Sequence, residues 1–131
     1  MAREEELQKI AMEMNYYRSQ AEELQGQMRS LNNLIAENDA AREALKAMPE
    51  NEESLFAIGE GVFVKAKPSS KKVFVEIGAR VVVEKTFEEA SAVLEARNAQ
   101  LVKTLGALQN SLQQLGGKMS ELNEQAESMQ Q

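Results

Sequence analysis

The sequence predicts an α+β chain in which two long helices form an antiparallel coiled coil and flank a short β segment. Three observations predict this class. Apolar residues recur in heptads near both ends of the chain. Proline is absent from both of these stretches, and the stretch between them is rich in Val, Phe and Ile with Gly and Pro as punctuation. We therefore expect an N-terminal helix at 1–48, a β segment at 49–86 and a C-terminal helix at 87–131.

The first helix has a strict alternation of three- and four-residue spacings. Position a holds Leu7, Met14, Ala21, Met28 and Ile35, and position d holds Ile10, Tyr17, Leu24, Leu31 and Asn38. Heptads sustained over this length are typical of a left-handed coiled coil. Pro49 predicts the end of the helix, because proline lacks a backbone donor and the residue before it avoids helical geometry.

The β segment contains four short stretches of strand-forming residues. Apolar residues alternate in 62–67 and again in 73–77, and a further stretch follows at 81–85. Leu55–Ile58 precedes a turn at Gly59-Glu60-Gly61. A three-residue loop at 78–80 would place Ile77 beside Val81 and Val75 beside Val83. The strands could pair as two hairpins or as one meander.

Four short strands cannot bury both of their apolar faces. Unpaired sheet edges and exposed aromatic side chains would make such a segment prone to aggregation in a monomer. We therefore expect this segment to be completed by other subunits. The residues expected to carry the assembly are Leu55, Phe56, Ile58, Val62, Phe63, Val64, Phe74, Val75, Ile77 and Val82, hereafter the assembly residues.

The second helix opens with Thr86 and Glu89 at the spacing of a capping box, in which each side chain accepts from the other residue's amide. It then repeats in heptads like the first helix. Position d holds Phe87, Leu94, Leu101, Leu108, Leu115, Leu122 and Met129, and position a holds Ser91, Asn98, Leu105, Leu112, Met119 and Ala126.

The two heptad patterns fit one register. In an antiparallel pair an a position faces a d position, and this rule is met along the whole length when facing residue numbers add up to 136. Leu24 then faces Leu112, and Asn38 faces Asn98, although the asparagines were not used to choose the register. A polar pair in the seam disfavours slipped alignments, because a slip leaves an amide without its partner.

Composition excludes several classes of function. Cysteine and histidine are absent, so thiolate metal sites and the commonest general base are absent as well. The net charge of −6 argues against binding to nucleic acid. No apolar run is long enough for a membrane span, and the start of the chain lacks an apolar signal region. We expect a cytoplasmic protein that is not an enzyme and has no cofactor.

The central segment carries a resemblance to a known family. The stretch 55–64, Leu-Phe-Ala-Ile-Gly-Glu-Gly-Val-Phe-Val, resembles the first hairpin of alpha-type prefoldin subunits. The stretch 73–86 with Glu88-Glu89-Ala90 resembles the second hairpin and its entry into the return helix. The resemblance implies an ATP-independent chaperone, a hexamer of two alpha-type and four beta-type subunits whose hairpins form intersubunit β-barrels. It further implies that the coiled-coil tips bind non-native polypeptide and deliver it to a group II chaperonin.

Within this resemblance, polypeptide binding is expected at the open ends of the two helices. The candidate residues are Leu7, Ile10, Met14, Tyr17, Met119, Leu122 and Met129, hereafter the tip residues. The alternative is that they only close the seam, although helix ends fray and expose their interior. Gly116-Gly117 could let the arm flex, or could be a surface position that accepts glycine. The alternative function is a structural coiled-coil assembly module that binds one defined partner.

Overall fold

The elements follow one another as helix, four strands and helix in the computed structural model, which describes residues 1–48 and 52–130. Helix α1 spans Ala2–Ala47 and helix α2 spans Phe87–Gln130. Between them lie β1 at Ser54–Gly59, β2 at Val62–Ala66, β3 at Lys72–Gly78 and β4 at Val81–Thr86. The predicted fold class of two long helices and short β strands is confirmed. The predicted helix stop at Pro49 lies outside the described residues.

The chain forms two compact units. The terminal unit consists of Met1–Ile35 together with the chain from Gln100 onward, and the central unit consists of Ala36–Ala99. Each unit contains part of both helices, and the central unit also contains all four strands.

In the terminal unit, the predicted a and d residues of both helices are half-buried or buried. The Lys118 ammonium lies 5.6 Å from the centroid of the Tyr17 ring, and the predicted partner of Tyr17 is the adjacent Met119. Leu24 lines one groove with Ser111 and Leu115, which stand one residue before and three residues after its predicted partner Leu112. A shift by one heptad would instead place Tyr17 opposite residue 112 or 126, so these contacts agree with the predicted register.

In the central unit, the polar layer of the seam is arranged differently from the expected amide pair. Asn38 is only 7% exposed, and its Nδ2 donates to the backbone oxygen of Leu94 over 3.0 Å. The Oδ1 atoms of Asn38 and Asn98 are both buried without a hydrogen-bond partner. One turn further along α1, Arg42 contacts Glu95 over 3.3 Å, next to residue 94 that the register places opposite it. The asparagines therefore occupy the seam, but Asn38 pairs with backbone rather than with Asn98.

The strands form two separate hairpins rather than one meander. Hairpin 1 pairs β1 with β2, and hairpin 2 pairs β3 with β4, both antiparallel. Val75 faces Val83, as predicted, but the expected pairing of Ile77 with Val81 is wrong, because Val81 faces Gly78. The loop has two residues instead of three, and the ladder shifts register between Glu76 and Gly78, which leaves Ile77 in a β-bulge.

The two hairpins are structural copies of each other. Each carries the motif Ile-Gly-x-x-Val around its loop, at 58–62 and at 77–81. The register of hairpin 1 shifts between Ala57 and Gly59, as that of hairpin 2 does at the equivalent place. Both residues of each loop have positive φ, 52° and 75° in Glu60-Gly61 and 47° and 64° in Ala79-Arg80. Such loops match the twist of the flanking strands, as type I′ turns do.

The start of α2 is fixed to hairpin 2 by backbone and side-chain contacts. The Glu89 amide donates to Thr86 Oγ1 over 3.1 Å and the Thr86 amide donates to Glu89 Oε1 over 2.9 Å, which confirms the predicted capping box. These hydrogen bonds hold the pKa of the Glu89 carboxyl below its ordinary value. The Phe87 amide donates to the Lys71 carbonyl over 3.0 Å, and the Arg97 guanidinium donates to the Glu76 carbonyl.

Candidate functional site

The hairpins present an apolar surface to solvent. Eight of the ten assembly residues are exposed, with Ile58 at 71% and Phe74 at 73%. The other two, Phe56 and Val75, are half-buried and stand at equivalent places in the two hairpins. Val81 is also exposed and belongs to this surface, and its equivalence with Val62 across the two hairpin motifs could have identified it. An apolar surface of this extent on two short sheets is typical of an unfilled interface.

The same hairpins have unpaired backbone groups along their edges. Each sheet within the described residues has only two strands, so each strand is paired on one side only. A free edge offers backbone N–H and C=O groups to another strand. Exposed apolar side chains and free edges therefore coincide on the same four strands, which is the arrangement needed for a sheet that is completed by another chain.

The tip residues lie in the terminal unit at the ends of both helices. Six of them are half-buried, and Leu122 is buried with 9% of its surface exposed. Ile10, Leu122 and Met129 line one groove, and the charged side chains that line it with them are Glu6, Lys9 and Glu13. These side chains thus pack in the seam and still leave part of their apolar surface accessible from the groove.

The exposed apolar residues of this unit stand outside the seam. Met12 is 73% exposed and Tyr16 is 61% exposed, one helical turn apart on the outer face of α1. The Tyr16 hydroxyl accepts from Gln20 Nε2 over 2.9 Å, and its ring centroid lies 5.8 Å from that of Tyr17. Heptad assignment does not point to Met12 and Tyr16, because it selects apolar residues in the a and d positions. They could have been found as apolar residues in the outward f and c positions.

The described residues offer neither a cluster of metal ligands nor a membrane-spanning helix. Across residues 1–48 and 52–130 no three side chains of the metal-ligating types are grouped so that they could hold an ion. Neither of the two long helices, as far as they are described, has a stretch apolar enough to cross a membrane.

Comparison with known proteins agrees with this geometry. A family model described as prefoldin subunit matches residues 17–131. Among curated proteins, the prefoldin subunit alpha of Thermofilum pendens is 32% identical over 119 residues, which cover 88% of this chain and 92% of that protein. The prefoldin subunit alpha of Methanosarcina barkeri is 31% identical over 135 residues, covering 98% of this chain and 94% of that protein.

Solved structures share the fold. A filamentous prefoldin from Methanocaldococcus jannaschii superposes with a TM-score of 0.74 at 24% identity, covering 85% of this chain and 95% of that one. The prefoldin beta subunit from Thermococcus strain KS-1 gives a TM-score of 0.67 at 19% identity, covering 94% of this chain and 90% of that one. At these identities the likeness concerns the arrangement of helices and hairpins.

Proposed function

The chain belongs to the prefoldin family, and we propose that it is an alpha-type subunit of a chaperone that holds non-native polypeptide without nucleotide. The observation that carries the proposal is the family match, which extends over residues 17–131 and includes both hairpins and most of both helices. Relatives of similar length that carry the alpha name cover nearly the whole chain, which supports the alpha-type assignment.

The hairpins would assemble this subunit with its partners. We propose a hexamer of two alpha-type and four beta-type subunits, in which the exposed assembly residues are buried in intersubunit β-barrels. Support comes from the exposed Ile58 and Phe74 and from the free edges of both sheets. Closing a barrel removes free edges and buries the apolar faces in one step.

The tip residues would bind the non-native polypeptide. Each offers only part of an apolar side chain, so one chain alone would bind weakly. Several chains in one assembly would bind one polypeptide together, and the second contact then benefits from a high effective concentration. The held polypeptide would pass to a group II chaperonin in the cytoplasm.

The proposal is tested with this chain assembled with a beta-type partner subunit. Three unrelated proteins are unfolded in denaturant, diluted, and their aggregation is followed by light scattering without nucleotide. We expect suppression for all three. A variant that lacks 1–17 and 119–131 should assemble, as judged by native mass spectrometry, and should no longer suppress aggregation.

Two results would contradict the proposal. If only one of the three proteins were held, the chain would be a structural assembly module with one defined partner. If the shortened variant held all three as well as the full chain did, the tip residues would not be the binding site. Transfer is measured separately, as the yield of refolded protein after a group II chaperonin and ATP are added to the loaded complex.

A further inference from the structure

An exposed apolar face on α1 lies in a part of the chain with net negative charge. Met12 and Tyr16 form this face, hereafter the Met12–Tyr16 face, and both side chains point away from the seam. The hydrogen bond from Gln20 to the Tyr16 hydroxyl holds the tyrosine ring along the helix. The chain has only two tyrosines and no tryptophan, so few of its side chains could offer an aromatic ring of this kind to a ligand.

Acidic residues dominate the same part of the chain. Residues 1–23 and 113–130 hold nine acidic and four basic side chains. Glu5 stands one heptad before Met12, and Glu23 stands one heptad after Tyr16, each about 10 Å along the helix at 1.5 Å per residue. Lys9 is the basic exception beside the face. Where the structure describes the chain, its salt bridges lie in the central unit. Lys9 stands four residues from both Glu5 and Glu13, and Lys118 lines a groove with Glu23, so the negative charge of this region is a net excess over nearby cations.

From this combination we infer that the Met12–Tyr16 face selects non-native segments in which apolar side chains alternate with lysine or arginine. The inference rests on the proposed function and names its preferred substrate class. Apolar cargo side chains would pack on Met12 and Tyr16, and a cargo cation would also be attracted to the face of the exposed tyrosine ring. The surrounding carboxylates would favour cationic cargo and disfavour anionic cargo of equal hydrophobicity.

The test compares two unstructured, fluorescently labelled peptides that share leucine and phenylalanine positions. One carries lysine at each charged position and the other carries glutamate. Binding to the full-length chain, assembled with a beta-type partner, is measured by fluorescence anisotropy. We expect the lysine peptide to bind about tenfold more tightly at ~50 mM salt, because several exposed charge pairs each contribute a small factor. At ~0.5 M salt the preference should mostly disappear, since screening shortens the range of these charges.

Two pairs of variants separate the apolar and the acidic contributions. Met12→Gln with Tyr16→Gln should weaken binding of the lysine peptide about tenfold, whereas Val102→Gln, at another exposed apolar position, should leave it unchanged. Glu5→Gln with Glu23→Gln should reduce the preference for lysine over glutamate. The matched control is Glu37→Gln with Glu43→Gln, which removes the same charge from exposed positions of α1 in the central unit.

The outcomes separate this inference from the proposed function. Equal binding of both peptides at low salt, or an unchanged preference in the Glu5 and Glu23 variant, would overturn the inference. Aggregation suppression of unfolded proteins would then persist and leave the proposed function intact. If the unaltered complex did not suppress the aggregation of any of the unfolded proteins, the proposed function itself would be wrong.

Discussion

Asn38 and Asn98 place two amide side chains in a seam that is otherwise mostly apolar. Asn38 is buried and donates to the Leu94 carbonyl, and the Oδ1 atoms of both asparagines have no partner. An unpartnered buried acceptor costs about 1–3 kcal/mol. The layer therefore lowers stability, and its benefit is alignment, because a slipped register would bury these amides against apolar side chains.

Replacing both asparagines with leucine should stabilise the protein and make the alignment of the two helices less specific. We expect Asn38→Leu with Asn98→Leu to raise the free energy of unfolding by about 2 kcal/mol, since two unpartnered acceptors are removed. Cysteines introduced at positions 24 and 112 should crosslink when both asparagines are present. In the leucine variant, crosslinks between positions 24 and 105 or 119 should appear as well. Met28→Leu is the control. If crosslinks in the variant with both asparagines replaced formed only between positions 24 and 112, the asparagines would not determine the alignment of the helices.

The residues that the sequence predicted well are those with a periodic signal. The a and d positions of both helices follow from spacing alone, and the structure buries or half-buries them. The loop of hairpin 2 was not predictable in the same way. Ala79 and Arg80 both adopt positive φ, a conformation for which sequence signals are usually glycine or asparagine. Without that signal the bulge at Ile77 and its shift of register could not be anticipated.

At the scale of elements, α2 contains two adjacent glycines at positions where packing does not require a glycine. A Cβ atom added at Gly116 or Gly117 would meet no atom within 4 Å. Both residues lie inside a continuous helix, where glycine is about 1 kcal/mol less favourable than alanine. The two glycines thus make this stretch of α2 easier to distort than its neighbours.

Alanine at these positions should stabilise the helix. We expect Gly116→Ala with Gly117→Ala to raise the free energy of unfolding by roughly 1–2 kcal/mol in chemical denaturation. Gly59→Ala is the opposite control, because Gly59 has a φ of 121° that side chains rarely adopt, and it should destabilise the protein. A loss of stability in the helix variant would show that Gly116 and Gly117 have a packing role.

The two hairpins show which features of an element follow from local sequence. Strand positions follow from alternation and turn residues, and the capping box marks the first turn of α2. Whether four strands form one sheet or two depends on long-range pairing, which the alternation of apolar and polar residues does not determine. The repeated Ile-Gly-x-x-Val motif carries the missing information, since two copies of one motif favour two copies of one hairpin.

At the scale of the whole molecule, the apolar surface of the hairpins predicts how the chain associates. Phe63 and Val82 are exposed at equivalent places in the two hairpins. We expect Phe63→Asp or Val82→Asp to weaken assembly with a beta-type subunit at least tenfold, because a buried carboxylate without a partner is costly. Native mass spectrometry measures the complex, and circular dichroism checks that the helices remain.

A matched variant at the other surface separates assembly from cargo binding. Tyr16→Ser removes an equally exposed aromatic side chain from α1 and should leave the mass of the complex unchanged. If Phe63→Asp assembled as well as the unaltered chain did, the hairpin surface would not be the interface. The partner surface itself cannot be derived from this sequence, because in the proposed assembly the residues that would cover Phe63 and Val82 belong to another chain.

The exposed hairpins also bear on how the cell must make this protein. Before its partners arrive, the newly made chain displays Ile58, Phe74 and free strand edges, the features that drive misfolded proteins together. A surplus of this chain over its partners would therefore be prone to aggregate before it is assembled. If the hairpins assemble as proposed, the cell would need balanced synthesis of the subunits or rapid degradation of unassembled copies.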